Sequence, residues 1–375
     1  MMLKAHKYKI VANKAKRYAI ARTLDVCRDL YNDSLFQRNL NHRSGNTCRR
    51  FDQDKELPGL KATFPVLKNV YSQVLQNVLD RLDKTFNGFF RRGFGFPRYK
   101  SARRYNSFTY PQSGFSLNGN ILSLSKIGNV KLRLSRELPK DAEIKTCTIL
   151  NTVNGLFAIL TFEHEPTPLP VSDFEAGIDL GITKFAALSD GTFVENPRIY
   201  ENAQPELRIA QRRLARRKNK KSHSRAKAVI LLRKLHEKIR SKRLDFLHKE
   251  TTKIVKKFGF IAMENLRVQN MAGYLPKQIL DAGWSMWRWF TSYKAESAGR
   301  TIGIVPPQYT SQECDKCERS HPDNRKGEKF KCIFCNHEDH SDTNASKRIL
   351  ARAKTKWARM EPLGVNVSRT VLCVA

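Results

Sequence analysis

GIDLGITKFAALSDGTFV, residues 177–194, is the stretch whose reading decides the fold. An apolar run carries an acid, Asp179, pauses at Gly181, resumes at Phe185–Leu188 and turns again at Asp190-Gly191 before Thr192–Val194. The pattern predicts strand, turn, strand and return, with a carboxylate set inside the first strand. A carboxylate on a rigid strand is placed to hold a metal. The plainer alternative is a surface Asp at a strand end.

Downstream, IAMENL (261–266) predicts a short buried strand ending in Glu264. Open α/β sheets gather their chemistry at the carboxyl ends of strands, although a single Glu there is more often a solvated loop residue. SDTNAS (341–346) leads into a helix expected over 343–358, and Asp342 falls about where an N-cap sits, which alone would explain it. In order, Asp179, Glu264 and Asp342 say more than any one of them. Two strands and a helix start can bring three carboxylates to one end of a sheet. Such hard oxygen donors suit Mg²⁺ or Mn²⁺, and two ions can activate a water and stabilise a leaving 3′ oxygen. Converged carboxylates repel one another without cations, so the arrangement itself implies metal.

Cys314-x-x-Cys317 and Cys332-x-x-Cys335 are separated by fourteen residues. Each pair can clamp one side of a tetrahedral Zn²⁺, and four thiolates close the site, so this zinc is structural and not the catalytic metal. A redox pair would not come duplicated. His337 and His340 lie close by but are surplus to four thiolates. Cys27, Cys48, Cys147 and Cys373 are scattered and read as ordinary thiols of a reducing compartment.

The 375 residues carry 69 Lys+Arg against 35 Asp+Glu, a net charge of +34. So large an excess repels itself unless a polyanion offsets it, and nucleic acid is the expected partner. A membrane surface is disfavoured because basic residues lie in nearly every segment, and no run approaches the roughly 18 apolar residues of a spanning helix. The N-terminus lacks the apolar region of a signal peptide, so a cytoplasmic, nucleoid-associated location is expected. From Arg208 to Lys257 there are 20 Lys/Arg and three acids. Arg212, Arg213, Arg216, Arg217, Lys242 and Arg243 in this run read as phosphate contacts. RRGFGFPRYKSARR (91–104) interleaves Arg91, Arg92, Arg98, Lys100, Arg103 and Arg104 with Phe94, Phe96 and Tyr99. Its arginines can meet phosphates while its rings stack on bases, core packing being an equal alternative for the two Phe.

Around these motifs, residues 3–11 read as a strand, 13–40 as a helix and 41–66 as loop with short helical pieces at most. Residues 67–90 read as a helix with Leu67, Val70, Tyr71, Val74, Val78, Leu82, Phe86 and Phe89 on one face. Residues 107–165 read as short strands with hairpin turns at Asn118-Gly119 and Asn154-Gly155. Pro166, Pro168 and Pro170 mark a domain boundary. Residues 206–257 read as a helical pair, 280–300 as a Trp-rich helix and 303–340 as a Cys-containing ribbon.

Together these residues resemble the TnpB family, transposon-encoded RNA-guided nucleases related to type V CRISPR effectors. The likeness runs through VLQNVLDRLDKTFNGFFRR (74–92), GFPRYKS (95–101), GIDLGITKFAALSDG (177–191), SKRLDFLHKETT (241–252) and AMENLRVQNM (262–271). It continues through DAGWSMWRWFTSYKAESAGR (281–300), PPQYTSQECDKC (306–317) and FKCIFCNHEDHSDTNASKRI (330–349). The resemblance implies an α/β RNase H-like (RuvC) nuclease domain over 171–309 and 341–360, with an inserted zinc ribbon over 310–340. It implies an N-terminal wedge β-barrel over 1–10 and 91–170, interrupted by a helical recognition insert over 11–90, and a disordered tail over 361–375. It implies Asp179, Glu264 and Asp342 as catalytic carboxylates holding two Mg²⁺ or Mn²⁺, and Arg325 as a stabiliser of transition-state charge. Gln76 and Asn77 would read a short target-adjacent motif, since a Gln can bind adenine through two hydrogen bonds. The implied partners are a guide RNA made from the transposon end and double-stranded target DNA, with the chain expected to be a monomer. Two features depart from the family's pattern. Glu318 and Asn336 stand where glycine usually follows the second cysteine of each pair, and SDTNAS replaces Ala-Asp-x-Asn-Ala-Ala.

Other readings compete. A guided binder that represses without cutting has no use for three carboxylates. An actin-type ATPase shares the core strand but needs Gly-rich phosphate loops, and none follows residue 191. An RNA-independent RuvC-type nuclease or a transposase uses the same two-metal chemistry. For every reading that places phosphates against the basic segments, affinity for nucleic acid falls by about 10³-fold or more between about 50 and 200 mM salt, as read by fluorescence anisotropy. A binding constant that stays flat over this range assigns the charge to another purpose.

Overall fold

The computed structural model describes residues 2–139, 142–219, 221–266 and 281–360, apart from the side chains of 357–360. The expected tail over 361–375 and the 267–271 part of the AMENLRVQNM motif lie outside the described residues. Contacts divide the chain into two units, Met1–Glu165 and Pro166–Ala375.

The strands of the first unit are β1 (Met2–Val11), β2 (Ser107–Tyr110), β3 (Phe115–Asn118), β4 (Ile121–Leu124), β5 (Gly128–Arg133), β6 (Ile144–Thr152) and β7 (Gly155–His164). They form one antiparallel sheet in the order β2-β6-β7-β1-β5-β4-β3. The ladder has two ends, β2 and β3. Tyr110 of β2 nevertheless meets Phe115 of β3 edge-on at 6.3 Å and donates its hydroxyl to the Ser125 carbonyl at 2.9 Å. The sheet is therefore curled, with its ends joined by side chains rather than by a ladder. Helices α1 (Lys14–Arg43), α2 (Arg50–Thr63) and α3 (Ser72–Arg92) belong to the same unit. Ile20, Leu24 and Leu35 of α1 and Val74, Val78 and Leu82 of α3 share the core with the sheet.

Helix α2 lies where the sequence reading expects loop. The Asp52 carboxylate accepts from the Arg49 backbone N–H at 2.8 Å, as a capping acid does. Gln53 is buried, accepts from Arg38 Nε at 2.9 Å and donates to the Ser34 carbonyl at 2.9 Å. These bonds offset the one that Pro58 removes from the helix interior. The amphipathic helix expected from residue 67 begins at Ser72, and Leu67 falls in a short 3-10 turn, Pro65–Asn69.

In the second unit, β8 (Glu175–Leu180), β9 (Lys184–Leu188), β10 (Phe193–Glu195), β11 (Phe260–Glu264) and β12 (Thr301–Val305) form a sheet in the order β10-β9-β8-β11-β12. The first three are antiparallel neighbours, and β11 runs parallel to both β8 and β12. This is the strand order of an RNase H-like core. The basic pair α4 (Ile199–Ala215) and α5 (His223–Lys257) connects β10 to β11, α6 (Trp284–Ser297) precedes β12, and α7 (Ser341–Met360) ends the described chain. Strand β12 corrects the sequence reading, which gives residues 301–305 no strand and starts the ribbon at 303. A five-residue run with Gly303 at its centre is a weak strand signal.

Side-chain size fixes how the layers stack. One sheet face presents Ala176, Ile178, Ile261, Met263, Ile302 and Ile304 to Leu247 and Ile254 of α5 and to Trp284 and Trp287 of α6. The other face carries Gly177, Ala262 and Gly303, direct cross-strand partners in one row. A Cβ on Gly177 would lie 1.9 Å from the Ser346 carbonyl oxygen, and one on Gly303 2.8 Å from the Ala353 Cβ. This row without bulk is the seat of α7. The variant Gly177→Ala therefore has to lift a helix backbone, and it is expected to destabilise the protein by about 1–3 kcal/mol. Thermal unfolding checks this, and an unchanged midpoint contradicts the close seating.

Candidate active site

The acids occupy the row beyond this seat. Residues two apart in a strand share a face, so Asp179 follows Gly177 and Glu264 follows Ala262 on the side that α7 covers. Ile178 pairs with Met263, which sets Asp179 and Glu264 at neighbouring strand ends. Ser346 rests on Gly177, and Asp342 lies one helical turn earlier, toward Asp179. Asp342 does not serve as the helix cap. Its own N–H donates to His340 Nδ1 at 3.2 Å, and its carboxylate accepts from Arg325 Nη2 at 2.9 Å.

Burial, reinforced by the charges of Glu264 and Asp342, pushes the Asp179 carboxyl well above its usual 3.8, against the pull of Arg325 and of the Leu180 N–H. Burial also raises Glu264, although the Thr310 hydroxyl donates to it and Arg352 lies near. Both acids keep part of their surface open to solvent. The three carboxylates share one pole of the sheet, but their oxygens do not all lie within 4.8 Å of one another. Thr310 draws Glu264 aside and Arg325 draws Asp342. Hard oxygens, mutual repulsion and partial access to water together fit divalent cations.

Arg325 enters from the ribbon, whose strands are β13 (Arg325–Lys326), β14 (Lys329–Lys331) and β15 (Glu338–His340). The sulfurs of Cys314, Cys317, Cys332 and Cys335 all lie within 4.8 Å of one another, with Cys314 3.6 Å from Cys335 and Cys317 3.5 Å from Cys332. Four converging thiols fit a tetrahedral zinc. Glu318 and Asn336, the two departures from the family's glycines, adopt φ of +61° and +58°. Their N–H groups donate to the Cys314 and Cys332 carbonyls at 3.1 and 3.0 Å. The glycine-type turn is thus kept. Asn tolerates this conformation, and Glu318 gains a bond from Arg348 at 2.9 Å that offsets its strain.

The ribbon is latched to α7 beside Asp342. Asn344 is fully buried, donates to the Glu313 carbonyl at 2.8 Å and accepts from the Asp315 N–H at 3.0 Å. The Glu313 carboxylate is held by both Arg348 and Arg352 of α7. Sequence reasoning missed Thr310, Glu313, Asn344 and Arg348. The one available signal was the i,i+4 pair of arginines on the final helix.

Of the basic residues read as phosphate contacts, Arg212, Arg213, Arg216 and Lys242 are exposed and Arg217 is half-buried. Arg243 is half-buried. It is ion-paired with Asp281, whose other oxygen accepts from the Tyr200 N–H at 2.8 Å, so it braces α4 and α5. Six cations of α5, from Lys238 to Lys257, have carboxylate partners. Among the described residues no carboxylate pairs with Arg212, Arg213, Arg216 or Arg217, so the unpaired charge gathers at the α4–α5 turn. In the first unit Gln76, Arg91, Arg92 and Arg98 are exposed and Asn77 is half-buried. The Lys100 backbone N–H donates to Asn32 at 2.8 Å.

Residues 159–275 match a family described as a probable transposase, and residues 284–349 match one described as the Cas12f1-like TNB domain. Residues 1–47 match a family described as a helix-turn-helix domain, although here they form strand β1 and the single helix α1. A protein of Escherichia coli K12 named "Putative RNA-guided DNA endonuclease InsQ" is 32% identical over 381 residues, which span 93% of this chain and 92% of that one. A protein of Streptomyces pristinaespiralis with the same designation, without the InsQ, is 30% identical over 365 residues, 93% of this chain and 89% of that one. In fold the chain is similar to Cas12f1 in a cryo-EM complex with sgRNA and target DNA. The TM-score is 0.57 at 13% identity, over 89% of this chain and 82% of that one.

The raised acids set a pH dependence. In the folded protein Asp179 and Glu264 keep protons that the unfolded chain releases once pH passes their usual values of 3.8 and 4.5. Below those values the two groups impose no penalty. Above them stability falls as pH rises, until the raised groups themselves ionise. Asp179→Asn is expected to flatten this fall and to raise the magnesium-free unfolding midpoint at pH 7 by about 2–4 °C, on the order of 1 kcal/mol. Scanning calorimetry across pH checks this, and a variant less stable than the parent at pH 7 contradicts it.

Proposed function

Because this chain belongs to the TnpB family of RNA-guided DNA endonucleases, we propose that it is an RNA-guided DNA endonuclease that hydrolyses phosphodiester bonds beside a short target-adjacent motif. The observation that carries the catalytic assignment is the single pole of the sheet shared by Asp179, Glu264 and Asp342. These three would hold two Mg²⁺ or Mn²⁺ ions, which when bound would supply an activated water and charge stabilisation for the leaving 3′ oxygen. Asp179 and Glu264 orient the site from rigid strands, and Asp342 closes it from α7. Arg325 lies beside Asp342 and is placed to meet the charge of a phosphate held there. One structural zinc in the four-cysteine site would keep the ribbon folded and Arg325 in place.

We read the curled first-unit sheet as the wedge and α1–α3 as the recognition insert, with exposed Gln76 and neighbouring Asn77 as readers of duplex DNA. The α4–α5 turn, with its unpaired arginines, suits the backbone of a polyanion. A guide RNA derived from the transposon end would supply sequence choice by base pairing with a double-stranded target. The working form is read as an intracellular monomer, and no helix among the described residues is long and apolar enough to cross a membrane.

Asp179→Ala, Glu264→Ala and Asp342→Ala are each expected to lower guided cleavage by about 10³-fold or more while guided binding to the target is largely kept. Plasmid cleavage and filter binding with a reprogrammed guide measure the two separately. A variant that still cuts at a near-parental rate removes that residue from the site. A parent complex that binds its target and never cuts makes the protein a guided repressor. RNA-free protein that cuts one defined sequence as well as the guided complex does would make it a plain RuvC-type nuclease.

A further inference from the structure

The first unit holds a cavity that the catalytic reading does not use. It has a volume of about 780 Å³ and lies where the C-terminal ends of α1 and α3 meet the start of α2. Its inner wall is aromatic. Phe96 packs edge-on against Phe86 and Phe89, with centroids 5.8 and 5.3 Å away, and Phe90 stacks on Phe86 at 6.1 Å and 19°. Helix α3 can end this way because Gly93 takes φ of +66° and the chain doubles back across it.

An ordinary core would cover such rings. Here Phe90 is 72% exposed, and Phe51, in the lining from α2 with Lys55 Nζ 4.5 Å from its ring centroid, is 66% exposed. The rim is cationic. Arg49 and Arg91 line it, and among the described residues neither has a carboxylate partner. Asn39 and Asn46, also in the lining, offer amide donors and acceptors. Exposed rings, unpaired guanidiniums and amides in one cavity match a flat aromatic ring attached to a phosphate.

We propose that this cavity is a nucleobase-stacking pocket, in which Phe51 and Phe90 take an unpaired base while Arg49 and Arg91 hold its phosphates. It is separate from the end of α3 that carries Gln76, since the fourteen residues from Gln76 to Phe90 span about 21 Å of helix. The pocket rests on the reading of this protein as a nucleic-acid binder, and its occupant is a base from guide RNA or from a DNA strand freed of its partner.

The test uses the full chain with short single-stranded oligonucleotides of RNA, DNA and an abasic phosphodiester backbone. Phe90→Ala and Phe51→Ala are each expected to weaken binding of the base-bearing strands by about 5- to 100-fold and to leave the abasic strand unchanged. Phe90→Trp is expected to restore affinity, because an indole stacks at least as well as a phenyl ring. Both side chains are mostly exposed, so circular dichroism should show parental folding. A drop confined to RNA assigns the pocket to the guide, and one confined to DNA assigns it to the opened target. Unchanged affinity in both alanine variants overturns the proposal, as does an equal loss on the abasic strand. Continued binding of the abasic strand by the parent shows that the nucleic-acid reading survives even if the pocket does not.

Discussion

The second unit depends on how closely α7 can approach its sheet. A helix normally packs on a strand surface through side chains, but here Gly177, Ala262 and Gly303 remove that layer. The Ser346 carbonyl reaches the place where a Cβ would stand on β8. Since strands alternate faces, the next row on the same side is Asp179 and Glu264, and the helix seated over the glycines begins at their level. Three carboxylates meet because two glycines and an alanine permit it. The same approach places Ala262, Val305, Ile349 and Ala353 in a small apolar cluster beneath the site, which offsets part of the cost of burying acids next to it.

That cost is visible in the raised Asp179 and Glu264 carboxyls. The structure manages it with polar neighbours that draw two of the acids aside. Thr310 satisfies Glu264, and Arg325 neutralises Asp342. Both arrive on the segment between β12 and α7 that also carries the four cysteines. Asn344, Glu313, Arg348 and Arg352 tie that segment to the helix within about three turns of Asp342. The ribbon is therefore mechanically part of the site, and its order bears directly on where Arg325 and Asp342 sit.

The legible features were those in which residue type and spacing carry the chemistry. Asp179 within an apolar strand, Glu264 at a strand end and the duplicated cysteine pairs need no tertiary context to be noticed. The Asn-Gly turns fix the hairpins for the same reason. What could not be read depends on contacts between distant segments. Gly303 looks like a strand breaker until its opposite number on α7 is known. Helix α2 is held by Arg38–Gln53 and Asp52 bonds that leave no apolar periodicity. Arg243 and Arg216 are indistinguishable in a basic run, yet one is spent on Asp281 and the other faces solvent. Thr310 and Asn344 are common residue types whose importance lies in the hydrogen bonds they make to distant segments.

Close seating of α7 would make Asp179, Glu264 and Asp342 one metal-binding site. Anomalous diffraction from crystals of the protein soaked in Mn²⁺ tests it most directly. Manganese peaks are expected within about 2.1 Å of carboxylate oxygens from all three residues, with Asp342 drawn from Arg325 toward Asp179. Manganese that binds elsewhere, or that leaves Asp342 on Arg325 and out of the coordination sphere, would contradict it.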